Sequence, residues 1–199
     1  DYTPSYDARS TALSWGARDI LTDLGVWSEV EKQACPITEV HVSEKDRFGT
    51  TRIKAEDYKQ SAVGYVVPNQ WLGRCLLSRV DQLNIPLFAG VKVEQIIQGS
   101  PQELVLTSAD ASKETYKRKV KTRLLIIADG TDSNTAKKLG IESEIQQYSQ
   151  HAIVVNVTTE LPNNGTAYER FTTKGPLAML PLSDYLCAVV WTHDQAKVS

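Results

Sequence analysis

Apolar residues recur along this chain with two different periods, and the changes of period mark its elements. Leu13, Ala17, Ile20, Leu21 and Leu24 stand at helical spacing and predict an amphipathic helix over 10–24, with Gly25 as its stop. Residues 26–35 predict a short second helix that Pro36 ends. The period then shortens. Residues 37–43 alternate as Ile-Thr-Glu-Val-His-Val-Ser, and 48–53 offer a partner strand across Glu44-Lys45-Asp46-Arg47, which predicts an antiparallel hairpin. His41 lies between Val40 and Val42, so it takes the opposite face from both. With no partner cluster beside it, it reads as a structural or exposed histidine. A strand over 62–67 ends at Pro68, and Asn69 is placed to cap a helix over 70–83 that carries Leu72, Leu76, Leu77 and Val80 on one face. Short strands follow at 86–88, 92–97, 103–107 and 115–120, with Asp110-Ala111-Ser112 as a turn.

The stretch 123–141, RLLIIADGTDSNTAKKLGI, organises the rest. Leu124, Leu125, Ile126, Ile127 and Ala128 form a continuous apolar run that suits a strand buried on both faces. Asp129 and Gly130 break it, and 133–139 read as a short helix capped by Ser133 or Asp132 and stopped by Gly140. A buried strand ending in a carboxylate and a glycine before a helix describes the carboxyl edge of an open α/β sheet, where such sheets bind ligands. The competing reading of Asp-Gly is a hairpin turn, but 131–138 is too polar for a return strand. After Ile141 the strands at 152–157, 167–171, 177–182 and 187–191, joined by Gly and Pro turns, predict a second, mainly antiparallel domain. The fold class is therefore α/β with antiparallel insertions, or α+β.

Bulk properties narrow the function. The chain has 199 residues, 41% hydrophobic and 23% charged, which is ordinary for a globular protein. A net charge of -2 and a pI near 6.0 give no electrostatic case for nucleic acid. No apolar run approaches the ~18 residues that cross a bilayer, and Asp1-Tyr2-Thr3-Pro4 does not open a signal peptide. Cys35, Cys75 and Cys187 are scattered and without metal spacing, so reduced thiols in a cytoplasmic protein and no metal site are expected. The absence of an initial methionine leads us to expect a piece of a longer protein. Neither a P-loop nor a G-x-S-x-G elbow occurs, and no catalytic group is identified. G-x-G-x-x-G, the turn on which a dinucleotide pyrophosphate rests, is also missing.

Seven blocks carry a family resemblance: Asp7-Ala8-Arg9-Ser10-Thr11-Ala12-Leu13-Ser14, Leu24-Gly25-Val26-Trp27, Ala55-Glu56-Asp57-Tyr58, Gly64-Tyr65-Val66-Val67, Ala128-Asp129-Gly130-Thr131, Ala167-Tyr168-Glu169-Arg170-Phe171-Thr172, and Gly175-Pro176-Leu177-Ala178-Met179-Leu180-Pro181-Leu182. Together they resemble the group A flavoprotein aromatic hydroxylases, the para-hydroxybenzoate hydroxylase family, and within it the ubiquinone-biosynthesis branch. The resemblance implies an incomplete FAD/NAD(P)-binding α/β domain over 1–36 and 61–148, and an antiparallel-sheet substrate domain over 37–60 and 149–199.

It further implies FAD and NAD(P)H as cofactors of the parent protein, the piece itself being expected without them. The reaction implied is hydroxylation of a polyprenylated phenol with molecular oxygen activated on the flavin. Asp129 and Gly130 are the best-matching cofactor residues; Arg9 matches an arginine near the flavin, and Gln70 a residue beside the ribityl chain. Read alone, Arg9 and Gln70 are equally well solvated polar residues. The match departs from the family at Ala136, where an arginine is usual, and Lys137 next to it lacks a guanidinium's fork. Other ubiquinone-biosynthesis proteins and a peripheral contact with the inner membrane are the partners implied, with no nucleic acid. The six strands at 37–43, 48–53, 152–157, 167–171, 177–182 and 187–191 are expected to join in one antiparallel sheet. One face of it, with Val40, Ile153, Val155, Leu177, Met179 and Val189, would wall the ring pocket and a prenyl groove. The alternatives are a non-catalytic α/β module binding protein or lipid, and a related flavin-dependent dehydrogenase or epoxidase.

Overall fold

The computed structural model describes residues 9–110, 116–131 and 133–194. The described residues form two compact units, one from 9–85 and 148–194 and the other from within 86–147.

In the larger unit, β1 (Ser10–Ser14) and β2 (Cys35–Ile37) flank β5 (Gly64–Pro68), both antiparallel to it. The helix expected over 10–24 thus begins late. Its first five residues pair with β5, Leu13 opposite Tyr65, and α1 covers only Trp15–Asp23. Ser14 turns the strand into the helix, its Oγ accepting a hydrogen bond from the Ala17 N–H at 3.3 Å. Leu13 still packs on the core, but from a strand. The second helix is shorter too: α2 spans Trp27–Val30, a 3₁₀ turn follows, and Cys35 and Pro36 leave it for the edge of β5. Proline is tolerated there because an edge strand spares its missing N–H.

Strand β5 is buried on both faces. Tyr65 and Val67 join Leu21, Val26, Trp27, Val30, Ala62 and Cys75 in one apolar cluster. Val66, pointing the other way, joins Ile37 and Ala167 in another. α3 (Asn69–Gln82) follows directly. Asn69 does not cap it; its Oδ1 accepts a hydrogen bond from the Thr11 hydroxyl at 2.6 Å, tying the helix start to β1. The inward face is Trp71, Leu72 and Cys75, whereas Leu76 stays exposed. Further along, Arg79 Nε donates to the Leu24 carbonyl at 2.9 Å, beside Gly25, whose φ of +69° ends α1 in the left-handed region.

The same unit holds a six-stranded sheet in the order β4 (Thr50–Lys54), β3 (Glu39–Glu44), β10 (Thr166–Thr172), β11 (Gly175–Pro181), β12 (Leu186–Asp194), β9 (Gln150–Thr158). All six expected segments are in it, and the 3–4 hairpin forms with Val40 opposite Ile53. One pairing differs from expectation: β10 runs parallel to β3, because these strands come from distant segments with no turn joining them. Register also splits the expected apolar face. Val40 pairs with Ala167 and packs toward Val66 with Leu180 and Leu182. Tyr168, Met179, Val189 and Val155 form a row on the other face, with Leu177 and Ile153 beside Trp191. Adjacent residues on a strand point to opposite faces, so Val40 belongs with the interior and the rest do not.

The smaller unit is a meander, β6 (Val91–Ile97), β7 (Gln102–Ser108) and β8 (Lys117–Thr122), followed by α4 (Asn134–Lys138). A bulge interrupts β6 between Val93 and Gln95, and Lys138 Nζ donates to the carbonyls of Val93 and Glu94 there. Two expected strands are absent: 86–88 is irregular, and the apolar run 124–128 pairs with no described strand. Leu124 and Ile126 are 72% and 77% exposed. A strand buried on both faces needs hydrogen-bonded neighbours, and this unit offers the run none. Of the turn expected at 110–112, Ala111 and Ser112 lie outside the described residues, as does Asp132.

Candidate functional site

In the larger unit a cavity of about 700 Å³ opens between α3 and the six-stranded sheet. Gln70, Trp71 and Arg74 line it from the first turns of α3, and Asn156, Leu182 and Leu186 from the sheet. Ser10 and Cys35 add to the wall from β1 and β2, and Lys32, Gln33 and Ala34 from the turn before β2. Gln70 and Arg74 are four apart on the helix, so both project to one side. Trp71 is fixed by its Nε1–H, which donates to the Glu29 carbonyl at 3.1 Å. Arg9 is held next to this wall: its carbonyl accepts the Asn69 N–H at 3.0 Å, one residue from Gln70 in one direction and from Ser10 in the other. The structure therefore brings Arg9 and Gln70 together. Burial pushes the Cys35 thiol up, with Asp184 and Cys187 adding to it, so it stays a neutral, weakly nucleophilic wall group.

Asp129 and Gly130 belong to the smaller unit, where Asp129, Ser133, Asn134, Thr135 and Lys137 face Val91–Glu94 of β6 across a cavity of about 730 Å³ that Gly130 does not line. Hydrogen bonds from the Ser133 and then the Thr135 hydroxyl hold the Asp129 carboxyl below the usual carboxylate range. Ser133 Oγ in turn accepts the Ala136 N–H at 2.9 Å and caps α4. Asp129 thus organises the start of α4 through Ser133. Gly130 has a φ of +90° with open space where a Cβ would stand. Lys137 lines this cavity.

His41 is half-buried, its ring edge-on to Tyr168 at 5.6 Å and its Nε2 without a hydrogen bond. Among the described residues no three His, Cys, Asp or Glu side chains gather as a metal site would require. No described helix is long and apolar enough to cross a membrane. The sequence reading missed Arg74, Trp71, Asn156, Leu182 and Leu186. Arg74 was open to detection through its i, i+4 relation to Gln70, whereas Asn156 and the two leucines are brought in by sheet pairing over long separations.

Two helix-backed strands about a central strand, a six-stranded mixed sheet and a cavity between α3 and that sheet define the class. Residues 2–198 match the family described as FAD binding domain, and the chain belongs to it. It is similar to ubiquinone hydroxylase UbiM of Neisseria meningitidis, with 29% identity over 98% of this chain and 42% of that protein. It is also similar to 3-demethoxyubiquinol 3-hydroxylase of Escherichia coli, with 27% identity over 96% of this chain and 48% of that protein. The fold matches the crystal structure of p-nitrophenol 4-monooxygenase PnpA of Pseudomonas putida with a TM-score of 0.80 and 14% identity, over 100% of this chain and 51% of that one. The chain thus spans less than half the length of these two curated relatives.

Proposed function

We propose that the chain is the middle part of a flavoprotein monooxygenase that hydroxylates a polyprenylated phenol in ubiquinone biosynthesis, using FAD, NAD(P)H and molecular oxygen. Segments 1–36 and 61–148 then serve the cofactor, the first turns of α3 also facing the substrate, and 37–60 and 149–199 the substrate. The observation that carries this reading is the cavity joining Gln70, with Arg9 one peptide away, to the interior face of the six-stranded sheet. Support for ubiquinone chemistry comes from the names of the relatives alone.

The donor set fits FAD. The Asp129 carboxylate accepts from the Ser133 and Thr135 hydroxyls and from the Asp129 and Thr135 backbone, and a ribose or ribityl hydroxyl would replace one of these donors. Gly130, without a side chain and with open space at its Cβ position, lets a ligand approach the backbone. Gln70 offers an amide that both donates and accepts, and Arg9 a cation for a phosphate. When bound, flavin supplies the redox and oxygen chemistry. The chain's own part is to hold and shield. Trp71, Leu182 and Leu186 give the cavity apolar walls for a ring, and Gln70, Arg74 and Asn156 give it polar ones for the ring oxygens. The Arg74 guanidinium favours an ionised phenol, whose electron-rich ring accepts oxygen more readily. The prenyl tail leaves past Leu186 toward a membrane that the protein touches peripherally.

The test is NAD(P)H oxidation by the longer protein with a prenylated phenol and isotopically labelled oxygen. Stimulated oxidation with one labelled oxygen atom in the product supports hydroxylation. Stimulated oxidation with no label assigns a dehydrogenase, and no stimulation leaves a binding module.

A further inference from the structure

The outermost strand of the meander is unusually basic. Five of the seven residues 117–123 are cations, namely Lys117, Arg118, Lys119, Lys121 and Arg123, in a chain whose net charge is -2. β8 is an edge strand, paired on one side with β7. Its alternation puts Lys117, Lys119 and Lys121 on one face, opposite Thr107, Val105 and Glu103. All three lysines are exposed, while Val105, beside Lys119 on the same face, is 3% exposed. Among the described residues, one ion pair engages these lysines, from Lys119 Nζ to the Glu103 carboxylate at 2.7 Å.

The other side of the strand is different in kind. Arg118 lies over the Phe88 ring, its guanidinium carbon 4.4 Å from the centroid. Phe88, Leu87 and Tyr116 border one cavity and are all exposed, Leu87 by 58%. Cations and exposed aromatic and aliphatic side chains therefore flank the same edge. Charge alone on an edge strand serves to prevent strand pairing; exposed apolar side chains beside it do not serve that end.

We propose that the β8 edge docks the protein on an anionic lipid surface, with its lysines over the headgroups and Leu87, Phe88 and Tyr116 at the acyl boundary. This names the surface for the peripheral membrane contact proposed above, and rests on that reading for the choice of a bilayer as occupant. Three features of the chain agree. Lysine outnumbers arginine, and a hydrated point charge suits a diffuse headgroup field, whereas phosphate recognition in nucleic acid favours the guanidinium fork. The chain as a whole is acidic, unlike a nucleic-acid-binding domain. A second copy presenting the same edge would meet like charge.

The experiment is flotation of the 199-residue chain, and of the longer protein, with vesicles of phosphatidylcholine alone or mixed with phosphatidylglycerol. Binding is expected to the mixed vesicles, weakening as salt rises. Combining Lys117→Glu, Lys119→Glu and Lys121→Glu is expected to lower partition by at least about tenfold. Lys59→Glu with Lys174→Glu, both exposed in the larger unit, is expected to leave it unchanged. Phe88→Ala is expected to reduce binding without changing its salt dependence. Circular dichroism confirms that the variants fold. Failure to bind, equal binding to neutral vesicles, or indifference to the triple substitution overturns the proposal. Lysine-dependent binding of duplex DNA without vesicle binding overturns it as well. Turnover of a short-chain, water-soluble phenol by the longer protein is independent of docking, so its loss would instead count against the hydroxylase reading.

Discussion

Single side chains carry the sharpest expectations. Asp129 has a depressed pKa because hydroxyls of Ser133 and Thr135 bond its charged form. A folded pKa below the unfolded value stabilises above the unfolded pKa, and the contribution is lost as pH falls through the folded one. Local protection of the α4 amides, measured by hydrogen exchange, should therefore decline below about pH 4 in the native chain. In Asp129→Asn it should be low throughout and nearly independent of pH. In the longer protein, Asp129→Ala should weaken flavin retention more than it lowers the melting temperature; unchanged flavin content would leave Asp129 as a turn residue only. The substrate wall gives a second contrast. Leu186 lines the cavity, whereas Met179 lies on the opposite face of the sheet. Leu186→Asp should raise KM for a prenylated phenol about tenfold or more, the scale of placing a charge in an apolar site, and Met179→Asp should leave it near its native value. The reverse result would move the groove to the Leu177 and Met179 face.

At the scale of elements, stability is concentrated where strands have partners on every side. Val66 is wholly buried in β5 between two apolar clusters, and Val66→Ala should cost about 2 kcal/mol in urea unfolding. Ile126 carries an equally apolar side chain, yet at 77% exposure Ile126→Ala should stay within about 0.5 kcal/mol. A large loss at Ile126 would mean that 124–128 is packed after all. The turn between β10 and β11 is a second test. Gly175 has a φ of +131°, and a Cβ there would collide with the Thr192 carbonyl oxygen. Gly175→Ala should cost about 3 kcal/mol, combining backbone strain with a shift of β12. Gly130→Ala, with φ of +90° and free space, should cost only the strain, about 1 kcal/mol.

For the whole molecule the governing question is which parts of the proposed flavin site the chain contains. It carries Arg9, Gln70, Asp129 and Gly130, but no G-x-G-x-x-G turn. Each charge-assisted hydrogen bond such a turn gives a pyrophosphate contributes ~1.5–3 kcal/mol, and every 1.4 kcal/mol is a factor of about ten in affinity. The 199-residue chain should therefore purify colourless and bind added FAD no better than millimolar. Stoichiometric yellow flavin in the purified chain would refute this.

Local pattern was enough wherever an element is specified by its own residues. The β3–β4 hairpin follows from alternation across a short polar turn, and α4 from Ser133 at its start and Gly140, with φ of +71°, after its end. The helices after Gly130 and at Gln70 were legible for the same reason, but not the strand expected before Asp129 or the cap expected at Asn69. Partners distant in sequence decided the rest. Residues 10–14 have helical spacing, yet β5 offers a hydrogen-bonding edge and Ser14 a cap, so the helix waits for Trp15. Conversely, 124–128 has every local mark of a central strand and no described strand to pair with, so it stays irregular, with Leu124 and Ile126 exposed and Leu125 and Ile127 half-buried. Val40 and Met179 read alike in sequence, but register sends one to the interior and the other to the far face of the sheet. The cavity is of this second kind as well. Its helical residues share a turn of α3, but Asn156, Leu182 and Leu186 reach it only because β9, β11 and β12 pair in one sheet, and pairing over such separations leaves no periodic trace in the chain.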